Sequence, residues 1–453
     1  MLVTLPCFVR SQNITSHSNE YYNEVADSII NHALKYQTGY KWLSELCEIG
    51  PRLSGSEESI KAIFWAEEKL KSIGCDSVWL QPVMVPHWVR GNTEKAYISS
   101  SKLYKGKELS VASLGSSIGT GEKGISAQVI EVHNFEELKN LGDKTQGKII
   151  FFNRPFNETI VNTFGGYGDA VDQRFLGAVE AAKVGGVAVI VRSVTSRYDN
   201  VPHVGVMAQI DTVKHIPAVA IGLIDADFLS EALKKDPGLH LTLKMDCANL
   251  PDAQSYNVIG EIKGSEFPNE VIVIGGHFDS WDKGCGAHDD GAPCIQTMEV
   301  LDFFKRLKIE PKRTVRCVLF INEENGTRGG IEYAAYADTT KEVHLAAIES
   351  DRGVFTPRGF TVTADSLILD RIQSWLPILN LSLIDYVRQG YGGVDINQIR
   401  NIKALIGYDP DNQRYMDVHH SANDTFESVH PREMELGSAA IAILTYLINE
   451  EGL

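Results

Sequence analysis

The chain has 453 residues, 43% of them hydrophobic and 23% charged, with a formal net charge of −16. That is the composition of a globular protein with material for a large core and two or three domains. The acidic balance, without a long Lys/Arg run, argues against nucleic acid or an anionic membrane as partner; no segment approaches the run of about 18 apolar residues that a membrane span needs.

The chain opens on "MLVTLPCFVR", a short apolar run with no basic flank, read as the stub of a secretion signal or else an ordinary leader. Residues 20–48 read as helical and lead into a turn at "GPRLSGS". In "EESIKAIFWAEEKLKSIG", Ile60, Ile63, Phe64, Leu70 and Ile73 fall at helical spacing and Gly74 is a natural stop. "VWLQPVMVPHWVRG" and "KAYISSSKLYKGKELS" read as strands and hairpins.

Near residue 110 the texture turns glycine-rich, and strand and helix patterns alternate to about residue 250. From "SYNVIGEIKGSEFPNEVIVIGG" onward, buried strands ("TVRCVLFI", "HLAAIES") alternate with helices, ending in "MELGSAAIAILTYLI". The expected organisation is three stretches: 1–109, an inserted unit over 110–250, and 251–453. The expected class is α/β, a mostly parallel or mixed central sheet with helices on both faces. Such sheets bind ligands at the carboxyl ends of their strands.

Seven cysteines (Cys7, Cys47, Cys75, Cys247, Cys285, Cys294 and Cys317) are scattered without a CxxC pair, so no disulfide framework is expected. Cys285 and Cys294 read as core or spectator residues. Two motif matches fail on context. "GSSIG" (Gly115 to Gly119) is not framed by a strand and a helix as a nucleophile elbow must be, and "GTGEKG" (Gly119 to Gly124) does not open a helix as a dinucleotide loop does.

The chemistry sits in the last stretch. "GGHFDSWDKGCGAHDDGAP" follows a buried strand and carries His277, Asp279, Asp282, His288, Asp289 and Asp290. "INEENG" brings Glu323 and Glu324 after the next strand, "IESDRG" brings Asp351, and "VHHSANDT" brings His419 and His420. Any one of these is ordinary for a solvated or capping loop. Several strands of one sheet delivering imidazoles and carboxylates to one edge would create repulsion that divalent cations relieve. Nitrogen and oxygen donors suit zinc better than calcium or magnesium, and the number of donors suggests two metals. A two-metal site lowers the pKa of bound water and clamps both oxygens of a hydrolytic intermediate. In the adjacent pair Glu323–Glu324, one carboxylate then binds metal while the other moves the proton from water to the leaving amine.

Together, "GGHFDSWDKGCGAHDDGA", "NEENGTRGG", "ESDRG" and "HHSANDT" resemble the M28 family of dinuclear zinc peptidases. "GPRLSGS", "VMVPHWVRGN", "GAVEAAKVGGVAVIVRSV" and "YGGVDINQI" are similar to its carboxypeptidase Q branch. The resemblance runs from about residue 20 to the end. It implies His277 and Asp351 on one zinc, Glu324 and His420 on the other, and Asp289 bridging the two Zn²⁺. It implies Glu323 as general base and Asp279 as the carboxylate that orients His277. It also implies a protease-associated inserted domain, a small-peptide substrate, a homodimer, and a secreted, periplasmic or lysosomal setting. Carboxypeptidase or dipeptidase action is the expectation, with an aminopeptidase as runner-up and a non-catalytic receptor-like protein as a third reading. Asp282 is expected to bond locally, His288 to fill a variable slot, and Asp290 and His419 to shape the site. Tyr391 is a candidate for the substrate cleft. Pro293, a departure from the usual small residue, fits the first turn of a helix.

Overall fold

The computed structural model describes residues 18–453; the apolar N-terminal run and Cys7 lie outside the described residues. The strands are β1 (Ser77–Val89), β2 (Glu94–Ser100), β3 (Glu108–Leu109), β4 (Val111–Ser113), β5 (Ile125–Val132), β6 (Ile149–Phe152), β7 (Ala188–Arg192), β8 (Ala218–Ile221), β9 (His240–Met245), β10 (Ala248–Ile262), β11 (Phe267–His277), β12 (Arg313–Phe320), β13 (Val343–Glu349), β14 (Pro357–Thr363), β15 (Tyr386–Gln389) and β16 (Ile402–Pro410). They form two eight-stranded sheets, ordered β1-β10-β12-β11-β13-β16-β14-β15 and β3-β2-β9-β5-β6-β7-β8-β4.

The first sheet is mixed. Strands β12, β11, β13 and β16 run parallel through its centre, and the antiparallel pairs β1/β10, β10/β12 and β14/β16 flank them. The side-chain alternation of β11 explains the layers. Ile272 and Ile274 pack with the helices Asn19–Tyr36, Thr38–Ile49, Glu57–Ile73, Ala292–Arg306 and Pro431–Glu451. Val271 and Val273 face the other way, onto Tyr333 and Ala334 of the helix Arg328–Thr339. All four side chains are fully buried, each worth about 1.5–3 kcal/mol of apolar transfer. A strand hydrophobic on both faces is what a sheet covered by helices on both sides requires.

Local signals set the helix ends. Ser56 accepts a hydrogen bond from the Ser59 amide to open Glu57–Ile73, and Gly74, at φ +87°, closes it. Phe64, read with the apolar face of that helix, is instead 48% exposed; Ala62, Ile63, Ala66, Leu70 and Ile73 make the buried stripe. Pro293 occupies the first turn of Ala292–Arg306, where no intrahelical amide is missed.

The second sheet draws its strands from residues 94–245 and so includes β2 and β3, which precede the glycine-rich change of texture near residue 110. Within it β5, β6, β7 and β8 are parallel. It meets the first unit at the metal-loop side. Arg90 reaches Asp282 at 2.5 and 2.8 Å and Glu94 at 2.8 Å, and Lys283 also pairs with Glu94. Asp282 was expected to bond locally; its partner is 192 positions away. Gly115 is required where it stands, because a Cβ there would lie 1.9 Å from the Trp281 ring. Ser117, the serine of "GSSIG", is buried and accepts the Ala218 amide at 3.0 Å.

Candidate metal centre

Three neighbouring parallel strands end at one level. Register pairs His277 of β11 with Phe320 of β12, and Gly275 of β11 with Glu349 of β13. The residues just beyond those ends are Glu323–Glu324 and Asp351, so strand order alone gathers them around His277. Asp289 comes from the kinked segment Ala287–Gly291 that precedes the helix Ala292–Arg306, and His420 from a loop before the last helix.

The side chains converge in two groups that share one member. His277 Nε2 lies 3.2 Å from Asp289 Oδ1 and 3.3 Å from Asp351 Oδ1. His420 Nε2 lies 3.4 Å from Asp289 Oδ2 and 3.0 Å from Glu324 Oε2. His419 stacks on His420, ring centres 3.6 Å apart, and sets its own Nε2 3.8 Å from Asp289. Donor atoms of Asp289/His419/His420, of His277/Asp290/Asp351 and of His277/Asp289/Glu324 all fall within 4.8 Å of one another in each set. Asp290 therefore borders the cluster, but its carboxylate also accepts the His277 amide at 3.0 Å.

Asp279 meets His277 and also holds the neighbouring loop. The nearer partner of His277 Nδ1 is the Asp279 main-chain carbonyl at 3.1 Å, with the carboxylate at 3.8 Å. That carboxylate accepts the Glu323 amide at 3.0 Å, the Glu324 amide at 3.3 Å and the Ser54 hydroxyl at 3.0 Å. It thus anchors the loop that carries both glutamates. Asp424 does the same for the segment that carries Asp289, accepting the amides of His288 at 2.7 Å and Asp289 at 3.1 Å. His288 points away and stacks on Phe355 at 4.4 Å. Tyr391 is half exposed.

Sequence reasoning passed over four supporting residues. Arg52 of "GPRLSGS" donates to the carbonyls of Phe278, Cys285 and Gly286 at 2.9, 2.6 and 2.9 Å. The second unit supplies Val204, whose carbonyl is 3.2 Å from His420 Nδ1, and His203, whose Nδ1 meets the His419 carbonyl at 2.7 Å. Trp281 sets its indole beside His420, ring centres 5.9 Å apart. Arg52 had a signal in its motif; the others depend on packing between distant segments.

The electrostatics fit a cation. Burial pushes the Glu323 carboxyl up, and neighbouring Asp351 and Glu324 reinforce it; Glu324 is raised by burial and by Asp289. Burial also raises Asp289, but the imidazoles of His277, His420 and His419 overcome it and hold that carboxyl below its usual range. Burial lowers His420 to about 3, which keeps the ring neutral, the form that ligates metal. His420 Nδ1 lies 3.2 Å from the Val204 carbonyl and 3.3 Å from the Arg174 guanidinium, while Nε2 faces Asp289 and Glu324. Asp289 Oδ2 and Glu324 Oε1 are buried without a hydrogen-bond donor. Orphaned carboxylate oxygens at such depth are costly unless a cation satisfies them.

A mixed sheet with imidazoles and carboxylates gathered at its parallel strand ends is the arrangement of a metal-dependent hydrolase. The profile of peptidase family M28 matches residues 257–444. Carboxypeptidase Q of Bos taurus is 36% identical over 436 residues, which span 94% of this chain and 89% of that protein. The crystal structure of a peptidase M28 precursor from Shewanella amazonensis superposes with a TM-score of 0.91 at 32% identity, covering 96% of this chain and 98% of the other. A zinc aminopeptidase of Bacillus subtilis shares the fold, with a TM-score of 0.65 at 19% identity over 90% of this chain and 94% of that one. The chain belongs to peptidase family M28 and is similar throughout its length to carboxypeptidase Q. Among the described residues no helix is long and apolar enough to cross a membrane.

Proposed function

We propose that the protein is a dinuclear-zinc exopeptidase that hydrolyses small peptides, as a carboxypeptidase or dipeptidase. One observation carries the two-metal reading. The carboxylate of Asp289 offers one oxygen to the His277/Asp351 group and the other to the His420/Glu324 group, so two ligand sets share a bridging residue. In this reading His277 and Asp351 hold one Zn²⁺, Glu324 and His420 the other, and Asp289 both. Zinc bound there supplies an acidified water and a polarised carbonyl. Glu323 is the general base: its carboxylate takes the proton from water and returns it to the leaving amine. Asp279 keeps Glu323 and Glu324 in place through their amides.

Similarity to carboxypeptidase Q over most of the chain supports action at the carboxyl end. The fold shared with the Bacillus subtilis aminopeptidase keeps action at the amino end as the second reading. The same family membership supports a homodimer, a protease-associated role for the second unit, and a secreted, periplasmic or lysosomal location. A panel of dipeptides with free and blocked termini separates the two readings. Hydrolysis that tolerates a blocked amino end and stops at a blocked carboxyl end is the expected result. The reverse pattern makes the protein an aminopeptidase.

A further inference from the structure

Cys47 and Cys285 lie 238 positions apart in sequence, yet their sulfurs meet at 2.6 Å. Their side chains thus point at each other from two segments far apart in the chain. Cys47 sits in the last turn of the helix Thr38–Ile49, and Cys285 sits in the loop that leads to Asp289. Both are partly exposed, so a small disulfide reaches them. The surroundings are already built to fix this loop. Arg52, five residues beyond Cys47, donates to the Cys285 and Gly286 carbonyls, and the Cys285 amide donates to the Asp424 carbonyl at 2.9 Å.

We propose that Cys47 and Cys285 form a disulfide that staples the metal-loop segment to the helix Thr38–Ile49. The step is thiol–disulfide exchange with a low-molecular-weight disulfide such as oxidised glutathione. One cysteine attacks as thiolate, forms a mixed disulfide and expels one glutathione thiol. The second cysteine attacks the protein sulfur of that bond and expels the other. Two protein thiols are oxidised, one glutathione disulfide is reduced to two thiols, and the cysteine protons end on the released thiols. Two other cysteines, Cys294 and Cys317, have different surroundings. Cys294 is buried and donates to the His277 carbonyl at 3.0 Å, and Cys317 is buried against the Thr297 hydroxyl. A bridge closing so long a loop removes much freedom from the unfolded chain and belongs to an oxidising compartment.

The test uses the full chain, equilibrated folded in a glutathione redox buffer, alkylated without reduction, denatured, digested and mapped by mass spectrometry. Cys47 and Cys285 are expected in one cross-linked peptide pair that disappears on reduction. Recovery of either as the alkylated thiol, as a glutathione adduct, or joined to another cysteine overturns the proposal. Oxidised protein is also expected to melt roughly 3–5 °C above reduced protein, with the C47S variant insensitive to the buffer. Equal melting of the oxidised and reduced wild type overturns the staple. Neither measurement requires bound metal or peptidase activity, so the outcome is independent of the proposed function.

Discussion

Val204 and His420 are joined by two hydrogen bonds: the Val204 amide donates to the His420 carbonyl at 2.8 Å, and His420 Nδ1 faces the Val204 carbonyl at 3.2 Å. His420 stands at φ +58°, a conformation a non-glycine residue holds only with support. The second sheet's unit therefore supports the position of a side chain in the candidate centre of the first.

Perturbing that support lowers metal affinity without touching a ligand. Gly205, at φ +136°, leaves room for the Arg174 guanidinium, which donates to the Val204 carbonyl at 3.0 Å; a Cβ would lie 2.4 Å from its central carbon. Gly205→Ala is expected to weaken zinc binding about 10–100-fold, read by competition with a chelator. Wild-type affinity in this variant would show that the Val204 contact does not govern the site.

Asp424 satisfies the buried amides of His288 and Asp289. Asp424→Ala leaves both unpaired, at about 1–3 kcal/mol each. Denaturant unfolding of the metal-free protein is expected to show a loss of about 2–6 kcal/mol. Asp424→Asn, which retains one acceptor, is expected to fall between. A loss under about 0.5 kcal/mol in the alanine variant would mean that other groups or water take over the amides.

The Arg90 junction predicts a pH effect. Burial raises the Glu94 carboxyl, but Arg90 and Lys283 outweigh it and hold the folded pKa below the ordinary value. A depressed carboxyl contributes stability that is present above its unfolded pKa, about 4.3, and is lost as pH falls through the folded value. Wild-type melting temperature is therefore expected to drop more steeply than that of Glu94→Gln as pH falls below about 4.5. Parallel curves for the two proteins would remove Glu94 from the acid response.

His277, Glu324 and Asp351 were legible because they stand at or just past the ends of buried strands, where the sequence switches from apolar runs to acids and histidines, and Asp289 and His420 because they sit in short runs dense in such residues. The helix-covered central sheet was legible for the same reason, in runs such as Val271–Ile274. What lay beyond reach depends on tertiary pairing. Nothing near Asp282 announces Arg90, nothing near His420 announces Val204, and the spacing of Cys47 and Cys285 resembles no motif. Phe64 shows the limit of periodicity, which marks a helix face but not where its neighbours stop covering it. Asp279 has contacts that nothing in its motif announced. Its carboxylate binds the glutamate loop, and its main-chain carbonyl is the nearer contact of His277.

The central claim is a two-metal centre in which Glu323 moves the proton. Metal content and peptide turnover of Glu323→Gln, measured side by side with wild type, test it most directly. The account predicts two divalent ions per chain in both proteins and a kcat lower by about 10²–10⁴-fold in the variant. Wild-type turnover in Glu323→Gln, or wild-type protein that binds no stoichiometric divalent metal, would contradict it.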